Sequence, residues 1–322
     1  AAPMTLDNPV LSALLPVGLL IGIGFVAGKA KLIRGEGVRD LSNLVFLVLA
    51  QALLFRTMSS VHIERLNFGS VALYYAVAIA LFLIVLALQG WHSRSAVIAL
   101  GAIFSNMLMI GVPLVGLAYG EAGLVQLFAL VSMHALVVLT FATVVLELLV
   151  AHEQSQAGQG ERRHLLLIVG TAMKNAIVHP IPLPIIAGLL YAQTGWGLPA
   201  EIDRPLKLLG DAFGPVALVL VGVTLAHTAI GMQLKGALVI SAIKTFVHPV
   251  LMLAAGWLFG LRGVQLAVMV MAAALPVGAN VFLFAHRYRK AEDLVTATLA
   301  VSTAMALVSV SLVLALVPKL PP

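Results

Sequence analysis

Long apolar runs, separated by brief charged or Gly/Pro-rich punctuation, fill the chain from end to end. A helix needs roughly 20 mostly apolar residues to cross a bilayer. Ten runs meet that length, at about 10–28, 38–58, 69–89, 95–118, 123–149, 164–190, 205–228, 236–259, 264–286 and 291–316. The pattern predicts an all-α membrane protein of ten transmembrane helices. Most loops are short. The longest polar stretch, His152 to Arg163, predicts a linker at 151–163 between residues 1–150 and 164–322.

Basic residues beside the runs set an orientation, because cytoplasmic loops collect Lys and Arg. With the N-terminus outside, Lys29, Lys31, Arg34, Arg39, Arg94, Arg162, Arg163, Lys235, Arg287, Arg289 and Lys290 fall on the cytoplasmic side. Only Arg56, Arg65, Arg204, Lys207, Arg262 and Lys319 fall outside. The bias predicts two external termini and a cytoplasmic linker. The first apolar run has no basic segment before it, so no cleavable signal peptide is expected.

The halves repeat. Arg94 precedes the fourth run and Arg262 the ninth, 168 positions later, and Trp91 and Phe259 end the preceding runs. Five spans per half is an odd number, so the second copy enters the membrane from the opposite side. Inverted repeats of this kind are a common transporter plan. Both halves also carry a broken helix. The fourth run holds Asn106, Gly111 and Pro113 near its middle; the ninth holds Pro276, Gly278 and Asn280. Proline removes a backbone donor and glycine lets the chain unwind. Freed backbone groups in hydrocarbon cost several kcal/mol each unless protein, water or ligand satisfies them. Two such defects at matching depth predict half-helices that face one site. A plain kink in each is the alternative.

Polar residues inside the runs are candidates for that site. Lys174 and Asn175 precede a cluster formed by Pro180, Pro182 and Pro184, and Lys244 lies well inside the eighth run. Each lysine either faces a polar cavity or snorkels to the interface. Ser132 and His134 sit mid-run; His134 is either a packed helix partner or a proton-coupling group. No carboxylate lies beside either proline break. Asparagines, half-helix N-termini and a lysine favour a carboxylate-bearing substrate over a cation. Sodium remains open as a coupling ion, since carbonyls and amides bind it without a carboxylate. Proton coupling is open too, and no metal ligand set is identified.

Composition narrows the classes. The chain is 61% hydrophobic and 10% charged, with a mean hydropathy of +1.08; a soluble domain carries about 25% charged residues. The net charge of +6 forms no stripe, so nucleic-acid binding is not expected. Cysteine is absent, which removes disulfides and thiol chemistry. Neither a phosphate-binding loop nor a nucleophile with a base is found, so no enzyme activity and no cofactor are expected. No repeated carbonyl filter or charge ring suggests a channel.

At the two breaks the sequence resembles the auxin efflux carrier family, which includes plant auxin carriers and bacterial carriers of malonate or other organic acids. The matching segments are Asn106-Met-Leu-Met-Ile-Gly-Val-Pro113 and Ala274-Leu-Pro276-Val-Gly278-Ala-Asn280, continuing to Tyr288. Lys174-Asn175 is similar to a third family position, although the family's following proline is replaced by Ala176. The resemblance implies two inverted five-helix repeats in which helices four and nine cross at their breaks. It implies a scaffold domain of helices 1, 2, 6 and 7 and a transport domain of helices 3, 4, 5, 8, 9 and 10. Asn106, Pro113, Pro276 and Asn280 would then hold the substrate, with Lys244, Ser132 and His134 in the same moving domain. It further implies a homodimer in the lipid of a bacterial inner membrane. The expected function is alternating-access transport of a small organic anion resembling malonate. The rivals are a sodium-coupled carrier of a larger amphipathic acid and a membrane sensor that moves nothing.

Overall fold

The computed structural model describes residues 9–62, 67–156, 182–228, 231 and 233–319. Within them the chain is helical, and its one bridge of strand type pairs Ser105 with Val277 antiparallel. Among the described residues, seven helices are long and apolar enough to cross a membrane. They are α1 (Pro9–Lys29), α2 (Gly35–Met58), α3 (Phe68–Gln89), α5 (Met107–Gln156), α7 (Ala200–His227), α8 (Leu234–Leu258) and α11 (Glu292–Leu316). Three shorter apolar helices join them: α4 (Ser93–Ile103), α6 (Pro182–Gln193) and α9 (Gly263–Ala274). The ninth run finishes with α10 (Asn280–Tyr288).

Large apolar side chains cover the outside. Leu19, Ile23 and Val26 of α1, Leu208 of α7, Val250 and Leu258 of α8 and Leu312 of α11 all point outward. Such a surface suits lipid and not water. The backbone, bonded within helices, suits it equally. The chain is a multi-pass membrane protein.

Helix α1 lies along α7, and glycines set the closeness of that contact. A Cβ on Gly24 would collide with the backbone of Val219, and one on Gly222 with the carbonyl of Ile21. Gly28 meets Ala226 in the same seam, whereas Gly18 and Gly22 face open space. Of the two GxxxG-like spacings in α1, only the second packs. Arg56 near the end of α2 grips Asp203 of α7 through two bonds of 2.7 and 3.1 Å.

The fourth and fifth runs part at Gly120, between the expected 118 and 123: its φ of 60° and ψ of −151°, which only glycine adopts easily, turn the chain inside α5. A Cβ on Gly111 would lie 3.6 Å from Leu127 Cδ2 and one on Gly123 2.9 Å from Val115 Cγ1, so the segments before and after the turn pack on each other. Other expected boundaries move. His152 to Gln156, placed in the linker by their polarity, extend α5; the remaining linker residues lie outside the described residues. Helix α7 starts before the predicted position. Pro199 precedes it, and Glu201 and Asp203 complement the dipole of its first turn.

Candidate functional site: the crossing of two broken helices

Helix α4 stops at Ile103, and Phe104 turns extended with φ −79° and ψ 112°. Helix α9 stops at Ala274, and Leu275 does the same with φ −60° and ψ 155°. The two extended pieces cross antiparallel. Asn106 N donates to the carbonyl of Pro276 at 2.9 Å, and Gly278 N donates to the carbonyl of Phe104 at 3.0 Å. Glycine permits this approach. A Cβ on Gly278 would lie 2.8 Å from Phe104 Cδ1, and one on Gly111 would lie 2.7 Å from Leu275 Cδ1.

The crossing leaves other backbone groups to be satisfied far from bulk water. Ser105 N donates to His134 Nε2 of α5 at 3.2 Å. Val277 N donates to Ser302 Oγ of α11 at 3.1 Å. His134 and Ser302 are 168 positions apart, the same offset as Arg94 and Arg262. Lys244 Nζ of α8 donates to the carbonyls of Ala273 and Leu275 at 2.5 and 2.7 Å. Ser309 Oγ donates to the carbonyl of Ala274 at 3.0 Å. Tyr74 OH lies 3.2 Å from Ser105 Oγ. Lys244, fully buried, thus places its Nζ donors against the carbonyl end of α9.

A cavity of about 310 Å³ lies against the crossing. Its polar lining comes from Ser105, Asn106, His134 and Asn280; Phe46, Phe104, Met107, Leu108, Val131 and Leu283 form much of the rest. Two helix N-termini meet at it, those of α5 and α10. Asn106 caps the first, its Oδ1 accepting from Met109 N at 3.2 Å. Asn280 opens the second, and neither its side-chain amide nor its backbone N–H is bonded to another described residue. Among the described residues the lining has no carboxylate, lysine or arginine. N-terminal N–H groups and free amides make this wall a donor surface suited to an anion.

The expected site residues thus separate. Asn106, His134, Asn280 and Gly278 line the cavity together. Pro276 belongs to the crossing but faces a void of about 20 Å³ on its other side. Gly111 and Pro113 lie past the break, in the first turns of α5. Pro113 is buried close to Gly214 of α7 and does not line the cavity. Ser132 Oγ donates to the carbonyl of Ala129 within its own helix. Lys244 holds the break from behind and is likewise no part of the lining. Lys174 and Asn175 lie outside the described residues. Ser105, Phe46 and Ser302 were not anticipated. Ser105 adjoins Asn106, and Ser302 stands at the repeat offset from His134, so both carried a readable signal; Phe46 is an ordinary apolar position and carried none. No three His, Asp or Glu side chains gather as a metal-holding group among the described residues.

The comparisons with known proteins agree with a transporter. A family model described as "Membrane transport protein" matches residues 9–314. The chain is 26% identical over 311 residues to "Putative malonate transporter" of Rhizobium meliloti, covering 94% of each chain. It is 22% identical to "Auxin efflux carrier component 8" of Arabidopsis thaliana, covering 89% of this chain and 91% of the plant protein. An "Uncharacterized transporter" of Methanothermobacter thermautotrophicus is 24% identical over 67% of this chain and 66% of its own.

Proposed function

The chain belongs to the auxin efflux carrier family of membrane transport proteins, and from that premise we propose that it carries a small organic anion by alternating access. One observation bears most of the weight. The N-termini of two half-helices, each with an asparagine, converge on a cavity without a carboxylate among its described lining. The name of the Rhizobium meliloti relative adds malonate as the first substrate to try.

In this proposal ten helices form two inverted five-helix repeats. The equivalent partners His134 and Ser302, on equivalent backbone groups of the two breaks, support that symmetry. Helices α1, α2, α6 and α7 make the scaffold, and the rest of the described helices make the transport domain around the crossing. The cavity then lies at their boundary, with Phe46 and Pro182 from the scaffold side. Movement of one domain against the other opens it to each face of the membrane in turn. A homodimer through the scaffold, an inner-membrane location and external termini complete the picture. A single cysteine at Gln156, in a chain with none of its own, should be labelled only from the cytoplasmic side; labelling in intact cells overturns the orientation.

The coupling ion is left as sodium, proton or none. The proposal places no sodium ion on the carbonyls of Ala273 and Leu275, because Lys244 Nζ already holds them. A second reading draws on the largely apolar lining: a larger amphipathic acid, whose carboxylate meets the asparagines while its body lies against Phe46, Phe104 and Leu283. Counterflow in proteoliposomes tests both. Vesicles preloaded with unlabelled malonate should accumulate labelled malonate above empty-vesicle controls. Accumulation of an aromatic monocarboxylate alone favours the second reading. No counterflow of any carboxylate removes the carrier proposal and leaves the membrane sensor.

A further inference from the structure

His134 is 95% buried, with 5% relative exposure, and its ring forms part of the cavity wall. Its two nitrogens are in different situations. Nε2 receives the N–H of Ser105 at 3.2 Å. An atom that accepts a hydrogen bond from a backbone N–H carries no proton, so the neutral ring bears its proton on Nδ1. That Nδ1 has no partner among the described residues. The neighbouring rings of Phe104, with its centroid at 4.4 Å, and Tyr75, at 6.1 Å, offer it none. The hydroxyl of Tyr75 is itself engaged with the carbonyl of Leu130 at 2.6 Å. A buried unpaired donor is costly, and such exceptions often mark functional positions. Nδ1 has no exposed surface of its own in this structure, so a partner reaches it from the cavity that the ring borders once the ring or the adjoining Phe104 shifts.

We propose that His134 is a substrate-contacting residue whose neutral ring is locked by Ser105 in the Nδ1–H form and donates that N–H to a carboxylate oxygen of the transported anion. This rests on the proposed reading of the cavity as an anion site. The ring reads the substrate with one nitrogen and the first break with the other. Binding is thereby coupled to the backbone that crosses the second half-helix. A neutral donor also suits a carrier that must release its cargo. It orients the carboxylate without the strong attraction of a fixed cation in a low-dielectric site.

Two substitutions separate the nitrogens. In His134→Gln the side-chain oxygen reaches the region of Nε2 and accepts from Ser105, while the Nδ1 donor is lost. In His134→Asn the amide nitrogen takes the region of Nδ1, and nothing reaches Ser105. Malonate binding to purified protein, measured by calorimetry beside the melting temperature, reads both. The expected result for His134→Gln is a near-wild-type melting temperature and binding weaker by about tenfold to hundredfold. His134→Asn should melt lower and, where folded, bind better than His134→Gln. Nitrogen NMR of ¹⁵N-histidine-labelled protein, with His134 assigned by its loss in the glutamine variant, should show the Nδ1–H form. Its Nδ1–H signal should move when malonate is added. An Nε2–H ring, or wild-type affinity in folded His134→Gln, overturns this inference and leaves the carrier reading standing. If the wild type binds neither malonate nor an aromatic monocarboxylate, the anion-site reading fails and this inference fails with it.

Discussion

At the scale of single residues, the polar side chains inside the membrane divide by what they touch. Lys244, Ser302 and Ser309 touch backbone, and their work is to hold two broken helices open. Asn280 makes no side-chain hydrogen bond among the described residues and lines the cavity. Asn106 does both, capping Met109 N while lining the cavity. Lys244→Met keeps an apolar stem and removes the donors, which strands two buried carbonyls. The expected result is a loss of about 1–3 kcal/mol of stability, seen as a lower melting temperature. Malonate affinity of the folded fraction should fall far less. Weakened affinity at an unchanged melting temperature would instead put Lys244 in contact with the substrate. The burial of this lysine was readable from the sequence, because a charge deep in an apolar run demands a partner. The partner itself was not, because Ala273 and Leu275 offer only carbonyls, and any residue has one.

At the scale of elements, proline and glycine announced both breaks, but the two prolines act differently. Pro276 stands within the unwound segment itself. Pro113 lies just past the π-helical turn Met107–Gly111 that opens α5, outside the unwound segment. The first break falls upstream, at Phe104 to Asn106, where no proline marks it. The turn at Gly120 falls where the sequence separates the fourth and fifth runs, although residue type alone does not name the glycine that makes it. Only the backbone angles distinguish a glycine that turns the chain from one that merely packs. The same ambiguity applied to the glycines of α1, whose two GxxxG-like spacings look alike in sequence. Gly24→Ala should push α1 from α7 and lower the melting temperature and folded yield, because its Cβ meets the backbone of Val219, which cannot swing aside. Gly18→Ala, with open space around it, should leave both unchanged or slightly raise the helix's own stability. Equal melting temperatures for the two variants would contradict the close α1–α7 seam.

At the scale of the whole molecule, the all-helical membrane character followed from apolar run length and scarce charge, since lipid demands both. Residue type at the breaks was enough to bring Asn106 and Asn280 forward as partners. It was not enough to say which candidates share a cavity, because Pro113 and Ser132, close in sequence to the site, and Lys244, close to the crossing in space, are all turned to other tasks. The account that joins these levels is that two half-helix N-termini, brought together by the crossing, make one anion site. Asn280 isolates that claim, since its amide bonds nothing among the described residues and its loss leaves no described cap or break unsupported. The most direct measurement is malonate affinity of purified Asn280→Ala beside the wild type, with the melting temperature of each taken in the same buffer without ligand. The account predicts matching melting temperatures and binding weaker by about tenfold or more in the variant. Equal affinity in an equally stable variant would contradict it.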